Sequence, residues 1–408
     1  MSSLKKILII PSWYPTHNDP SLGIFFKVQA EMFCKNSVFD IKVLPYSLTT
    51  VGRRELIKRI LRGRFNVFSK SRNDIDLSLF EITVKVNHIA YSARKYSELK
   101  NIKNTYFKLL SQFIDLGWKP DLIHAHDVHW GGAIANYIYE QLRIPYIITQ
   151  HKPIYFNFID SFTQKEFVSA FKNARQVLTV SNYDLRLLTS AAVNNSIQSV
   201  GNLVDENLFP LKTEQQDQSK FVIYTVGSLS YRKDYFTFLK ALHYLIYTLE
   251  EKNIEVIINY VGQYEDNFTM VQLKQLVDEY SLSAYCKFTS KIPIDKMFNY
   301  YHSASVYVQT SIYETFGLAV AEALVCGTPV VAIDNGGIRD IYNGENMVLK
   351  EIGDYKGIAE GIASIKRKSV IFDPNDLRNS VINKFGMDAF KERIGNIYLN
   401  NLDVAQHD

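Results

Sequence analysis

Glu314 and Glu322 lie in the run Ser311-Ile-Tyr-Glu-Thr-Phe-Gly-Leu-Ala-Val-Ala-Glu-Ala-Leu-Val-Cys-Gly-Thr-Pro-Val-Val330. A Phe316-Gly317 step between them opens an apolar, Ala-rich helix. Gly327-Thr328-Pro329 ends that helix, and a β-branched strand, Val330 to Ile333, follows. The chemistry that this order of residues can do is anion binding beside hydroxyl binding. Gly317 lets a ligand approach the backbone closely, and the first N–H groups of a helix have no partner inside it. Those groups and the positive end of the helix dipole favour a phosphate near Gly317 and Leu318. Glu314 precedes the helix and Glu322 sits two turns inside it, where carboxylates would repel phosphate. An ionised carboxylate only accepts hydrogen bonds, so the two acids suit hydroxyls, those of a sugar and a ribose. Acids at this spacing are common on solvated helices. The Phe-Gly, the Gly-Thr-Pro and the Asn335-Gly336-Gly337 after the next strand set this pair apart.

The elements needed to position such a site recur along the whole chain. Short strands are expected at Lys6–Pro11, Asp40–Pro45, Phe80–Ile89, Asp121–His126, Pro145–His151, Gln176–Ser181 and Ile197–Asn202, with a helix at Gly23–Cys34 and further helical segments between. The pattern restarts with strands at Phe221–Gly227, Glu255–Gly262, Cys286–Ser290, Val306–Thr310 and Pro329–Asp334. Helices at Phe236–Leu249, Met270–Tyr280, Ile294–His302 and Gly317–Cys326 alternate with them. Such alternation predicts two doubly wound parallel sheets. Leu211–Lys220 is polar, without apolar period, and reads as the linker. The domains expected are therefore 1–210, 211–380 and a C-terminal helical segment, 381–408. Ligands of such sheets bind beyond the C-terminal ends of the strands. No Gly-x-Gly-x-x-Gly follows a strand and no Gly-x4-Gly-Lys-Ser/Thr occurs, which argues against a dehydrogenase or a P-loop nucleotidase.

A chain of 408 residues, 47% apolar and 22% charged, has the composition of an ordinary soluble protein with room for two cores. Cys34, Cys286 and Cys326 form neither a disulfide nor a metal spacing, so a reducing cytoplasm is expected. The apolar run after Lys5 and Lys6 is too short for a signal peptide or a span. Charge is divided unevenly: residues 1–200 carry 26 Lys+Arg against 15 Asp+Glu, and the remainder is acidic. A basic half and an acidic half suggest an oriented approach to a negatively charged surface or substrate.

Glu-x7-Glu enclosing Phe-Gly resembles the nucleotide-sugar motif of the retaining GT-B glycosyltransferases of family 4, the glycosyl transferases group 1. The resemblance extends over nearly the whole chain. Pro11-Ser-Trp-Tyr-Pro15 and Pro20-Ser-Leu-Gly-Ile-Phe25 are similar to the family's first strand and acceptor-side loop, with Gly23 allowing close backbone approach. Gly227-Ser-Leu-Ser-Tyr-Arg-Lys-Asp234 is similar to the family's diphosphate grip. Lys233 matches; Ser228 stands where the family usually has Arg, and the neighbouring Arg232 would stand in for it. His151, in Ile-Thr-Gln-His, resembles the family histidine that touches the donor sugar, with Gln150 replacing a frequent Glu. Asn202-Leu-Val-Asp205 with Phe209-Pro210 resembles the crossing between the halves, and Ile382 to Tyr398 the closing helix. Backbone around Ser290-Lys-Ile292 would read the nucleobase.

The resemblance implies a GT-B fold, two Rossmann-like domains facing a cleft, and transfer of a sugar from a nucleotide diphosphate sugar to an acceptor hydroxyl with retention. Glu314 would orient the donor hexose, Glu322 would hold the ribose, and Lys233 with Arg232 would neutralise the diphosphate, so no metal is needed. Phe316, Gly317, Leu318 and Ile292 complete the expected donor side, and Gly23 and His126 the acceptor side. The acceptor expected is a glycan or lipid-linked hydroxyl in bacterial surface polysaccharide assembly. The alternative is a catalytically silent, nucleotide-sugar-binding scaffold subunit. His124-Ala-His-Asp-Val-His129 admits a metal reading, since alternate strand residues share a face, beside an acceptor-side or structural one.

Arg53–Arg72 holds eight basic residues and one acid, with Leu56, Ile57, Ile60 and Leu61 at helical spacing. That is a short basic amphipathic helix, suited either to solvent or to an anionic membrane on the inner face of the cytoplasmic membrane. No aromatic interleaving favours nucleic acid. Each basic side chain near an acidic leaflet contributes ~1 kcal/mol, so several suffice for reversible docking. The expected outcome of vesicle sedimentation is pelleting with anionic but not neutral vesicles, weakened by salt. Changing Arg53, Arg54, Lys58 and Arg59 to Glu should abolish it; no change would leave the segment a solvated helix.

Overall fold

The computed structural model describes residues 4–15, 22–34, 38–51, 84–89, 95–154, 159–194, 196–212, 219–263, 268–290 and 292–403. The basic segment Arg53–Arg72 and most of the expected linker lie outside the described residues. The rest divides into two compact units. One comprises Met1–Val180, Asp184–Val200 and Lys391–Asp408, the other Ser181–Tyr183 and Gly201–Phe390. The divisions therefore fall at Val200/Gly201 and Phe390/Lys391, where the sequence placed them after 210 and 380.

In the first unit the elements run β1 (Lys5–Pro11), α1 (Ile24–Cys34), β2 (Phe39–Val43), β3 (Tyr46–Val51), β4 (Val84–Ile89), α2 (Lys95–Asp115), β5 (Leu122–His126), α3 (Ala133–Leu142), β6 (Tyr146–Gln150), α4 (Ser161–Asn173), β7 (Gln176–Thr179), α5 (Asn182–Ser190) and β8 (Ile197–Ser199). Six strands form one parallel sheet in the order β2-β1-β5-β6-β7-β8, and β3 pairs with β4 in a separate parallel ribbon. Helices cover both faces, so the strands are apolar on both. Ile7 to Ile10, Ile123 and Ala125, and Ile147 and Ile148 are all buried. β3 was not expected. The helix expected to start at Gly23 starts one residue later, because Gly23 adopts φ +65.

The second unit repeats the plan: β9 (Phe221–Leu229), α6 (Tyr235–His243), β10 (Ile254–Gln263), α7 (Met270–Glu279), β11 (Cys286–Thr289), α8 (Met297–Ser303), β12 (Val306–Gln309), α9 (Leu318–Val325), β13 (Val330–Ile333), β14 (Val348–Lys350), α10 (Tyr355–Lys366) and α11 (Pro374–Phe385). Its sheet is parallel in the order β11-β10-β9-β12-β13-β14. β9 is central, so the loop after it and the loop after its neighbour β12 emerge side by side. The helix expected at Phe236–Leu249 is α-helical to His243 and continues as a wider π turn through Thr248. Caps set several helix starts: Asp234, Asp354 and Asp373 each accept from backbone N–H groups, and Thr269 with Gln272 forms a capping box. Gly386 separates α11 from α12 (Met387–Asp403), whereas Gly395 stays inside α12. Among the described residues no helix is long and apolar enough to cross a membrane.

Candidate functional site

The second unit gathers Glu314, Lys233 and Arg232 at the C-terminal ends of β9 and β12. Lys233 ends a short 3-10 turn, Tyr231–Lys233, that follows β9. Its stem lies against Gly227, where an added Cβ would meet the lysine Cδ and Cε at 3.0 Å. This explains a glycine at the end of a buried strand. Lys233 Nζ donates to Glu314 Oε1 at 2.6 Å, and Arg232 lies 3.2 Å from Glu314 Oε2. The two loops are also joined through backbone carbonyls. Ile312 N–H donates to Arg232 O (2.9 Å), Arg232 donates to Tyr313 O (2.8 Å), and the Thr310 hydroxyl contacts the carbonyls of Lys233 and Asp234. Burial alone would raise the Glu314 pKa. The charges of Lys233 and Arg232 more than reverse this and hold it below its ordinary value.

Gly337 fixes the other side of the Glu314 loop. Its Cβ would fall 2.3 Å from Glu314 O, so only glycine fits, and Gly336 forms a parallel bridge with Glu314. Asn335 Nδ2 donates to Ser311 O at 2.9 Å. The Asn-Gly-Gly run thus acts by shaping the loop that carries the acid. Gly317 adopts φ +97 as the N-cap of α9. Leu318 begins that helix, half-buried, beside the expected phosphate position. Phe316 is buried edge-on against Phe385, 4.9 Å between rings, so this residue belongs to the core and offers a ligand only its backbone. Ser228 is buried and pairs with Ser230 (3.3 Å between hydroxyls). Arg232 rather than Ser228 brings the guanidinium. Ile292 lies beyond β11, half-buried, after Lys291, which is outside the described residues.

Glu322 sits in a different electrostatic setting. Its partner is the Tyr301 hydroxyl, 2.8 Å from Oε2. Burial pushes its pKa up to about 7, and the tyrosine pulls the other way. Tyr301 and Gln309, which donates to Glu314 Oε1 at 3.3 Å, were not read from the sequence. Neither carries a spacing signal, and each reaches its acid only through the fold.

In the first unit the expected residues His126 and His151 are neighbours, with His126 Nδ1 3.1 Å from His151 Nε2. Both ring systems pack on Phe26, at 4.6 and 4.8 Å. Gly23, at φ +65, lies against Trp13 at the start of the same turn. His124 and His126 share a strand face, but both nitrogens of His124 are used, by Tyr398 (2.8 Å) and Thr149 (2.7 Å). Burial lowers the His124 pKa to about 3. Burial, then the neighbouring histidines, lowers that of His126 as well, so these two rings are neutral. Among the described residues no group of three metal-ligand side chains is arranged to hold an ion. Gln150 bridges Val128 N–H, Asp127 and Lys152 O. A glutamate there could not donate to Asp127, which explains the amide.

Two parallel six-stranded Rossmann-like sheets, each with candidate side chains at the strand C-terminal ends, are the GT-B fold. The match to known families is specific. Residues 64–208 match Glycosyltransferase Family 4 and residues 211–384 match Glycosyl transferases group 1, and the chain belongs to this family of glycosyltransferases. It is similar to an uncharacterized glycosyltransferase of Methanocaldococcus jannaschii, 26% identical over 310 residues, 69% of this chain and 75% of that protein. It is also similar to a Bacillus subtilis protein described as the teichuronic acid biosynthesis glycosyltransferase TuaC, 22% identical over 379 residues and 90% of each chain. In fold it resembles Anabaena HepE, solved in complex with UDP-glucose, with TM-score 0.68 and 17% identity over 97% of this chain and 99% of that one.

Lys233 and Glu314 keep only 14% and 12% of their side-chain surface exposed, so removing one partner strands the other. Fully buried pairs lose ~3–5 kcal/mol on losing one member. Arg232 still faces Glu314, so Lys233→Met should cost less, about 2 kcal/mol, in denaturant unfolding. Lys233→Met with Glu314→Gln should lose less than the sum of the two single changes. Strict additivity would mean that the pair is not coupled.

Proposed function

We propose that this glycosyltransferase moves a hexose from a nucleotide diphosphate sugar to a hydroxyl of a glycan or lipid-linked acceptor, retaining the anomeric configuration. The observation that carries the reading is the contact between Glu314 and Lys233 at 2.6 Å. A sugar 1-diphosphate presents hydroxyl donors immediately beside phosphate acceptors. A carboxylate kept ionised beside an ammonium is the complementary pattern. Lys233, Arg232 and the N–H groups at Gly317–Leu318 receive the diphosphate, whose developing charge they stabilise as the C1–O bond breaks. Glu314 accepts from the hexose and Glu322 from the ribose. Gly23, His126 and His151 belong to the acceptor-side unit. Because the cations neutralise the leaving group, no metal is needed. The relative described for teichuronic acid biosynthesis supports a role in surface polysaccharide assembly, and the basic segment supports peripheral contact with an anionic membrane.

The testing experiment is release of nucleotide diphosphate from UDP-, GDP- and ADP-sugars, to water or acceptor. A catalytically silent scaffold would release none. Release should persist in EDTA; loss restored by a divalent ion would overturn the metal-free reading.

Glu322→Ala should chiefly weaken donor binding, because a ribose contact is made equally in ground and transition states. The pH dependence has a definite sign. Ionised Glu322 offers acceptors alone, which suits the two hydroxyl donors of a ribose, and its pKa stands at about 7, above the ordinary 4.5. Donor affinity should therefore rise with pH through about 7 and level off above it. Stability of the empty protein runs the other way. The folded form holds a proton that the unfolded form releases, so this contribution falls as pH rises from about 4.5 to about 7. Nucleotide sugars have no ionisation of the phosphate near pH 7, so calorimetry with them isolates the carboxyl. A Glu322→Ala protein that binds as well as wild type would refute the ribose assignment.

A further inference from the structure

Glu322 is presented by a side chain that no motif contains. Tyr301 lies on α8 and is fully buried. Its ring is held edge-on by Tyr224 (5.4 Å, 81°), Tyr307 (5.7 Å, 72°) and Phe209 (6.0 Å, 67°). Its carbonyl accepts from the Thr328 hydroxyl at 2.7 Å, which ties α8 to the turn closing α9. A ring enclosed on three sides has no freedom to turn, so its hydroxyl is delivered to one place, Glu322 Oε2 at 2.8 Å.

An ionised carboxylate offers about four acceptor positions, and Tyr301 fills one of them. The phenol donates to the ionised carboxylate, so the contact favours the charged form and fixes its rotation. The other titratable groups around Glu322 are Tyr224 from β9, Tyr307 from β12 and Cys326 from the end of its own helix. Each is neutral, with burial raising its pKa. The charged group nearby is Arg378 on α11, which influences Cys326 and whose guanidinium is committed to the carbonyls of Phe209, Val325 and Glu206. Among the described residues Tyr301 is the group that hydrogen-bonds the carboxyl. Glu322 therefore has no cation to keep it charged, unlike Glu314, and relies on a phenol.

We propose that Tyr301 is a positioning residue for donor recognition: its hydroxyl clamps the Glu322 carboxylate so that the remaining lone pairs face a vicinal diol, that of a ribose. The proposal rests on the donor reading given above. A general consequence is that an element outside the nucleotide motif, α8, sets how well that motif works.

Tyr301→Phe deletes the hydroxyl and keeps the packed ring. Two measurements test it. The first needs no ligand: 13C-glutamate NMR follows the Glu322 carboxyl, assigned by its disappearance in Glu322→Gln. The expected shift is an upward move of its midpoint by about one unit in Tyr301→Phe. The second is calorimetry with UDP-glucose, GDP-glucose and ADP-glucose. At pH 7 the variant should bind about fivefold more weakly, recovering most of the loss at pH 9, with kcat at saturating donor little changed. In a Glu322→Gln background, Tyr301→Phe should have no further effect on affinity. An unchanged midpoint, or a loss of affinity that ignores pH and persists in the Glu322→Gln background, would leave Tyr301 a packing residue and overturn the proposal alone. A shifted midpoint in a protein whose wild type binds none of the three sugars would overturn the donor reading, and the proposal with it.

Discussion

The structure of the second unit turns on one largely buried carboxylate. Taking an ionised acid out of water is expensive unless charge and hydrogen bonds replace the solvent. Glu314 receives both from Lys233 and Arg232, which lie about eighty residues earlier in the chain. That contact exists only because β12 lies beside β9, so that the loop after each strand meets the other. The bonds from the Ile312 N–H and the Thr310 hydroxyl to the carbonyls of residues 232–234 lock the meeting, and Gly336-Gly337 closes it from the side of β13. Strand order, the two glycines and the ion pair are thus one requirement seen at three scales.

The two acids of the motif show how little residue type decides. Glu314 is held below its ordinary pKa by two cations, whereas Glu322 is lifted to about 7 by burial with only a phenol in contact. Environment, not identity, separates two carboxylates into different roles. One remains charged at any physiological pH and suits permanent pairing with an ammonium or with hexose hydroxyls. The other sits near its midpoint, so its capacity to accept hydrogen bonds changes over the range in which cells operate.

In the first unit the buried rings of His124 and His126 are accommodated without charge. His124, bonded to Tyr398 and Thr149, and His126, beside His151, are neutral rings, because burial disfavours the imidazolium. Asp127 takes a left-handed backbone, φ +69, and accepts from His129 N–H and from Gln150. The amide of Gln150 satisfies three groups at once. Of the histidines that admit a metal reading in sequence, His124 has both ring nitrogens engaged in the folded chain, by Tyr398 and Thr149.

Much of this was legible in sequence because it is local. Apolar runs of parallel-strand length, β-α alternation, Gly317 before an Ala-rich helix and the Glu-x7-Glu spacing all report short-range physics: periodicity, capping and backbone freedom. They sufficed for the doubly wound class and for the residues at its strand ends. What sequence could not decide was every property that depends on a partner distant along the chain. Phe316 sits inside the donor motif, yet it is a core residue, because α11 places Phe385 against it. Tyr301 and Gln309 look like ordinary helix and strand positions until the sheet order sets them beside the acids. The raised pKa of Glu322 and the neutrality of His124 and His126 follow from burial, which is a property of the assembled core. Spacing can name a carboxylate; only tertiary packing supplies the dielectric and the neighbours that determine what that carboxylate can do.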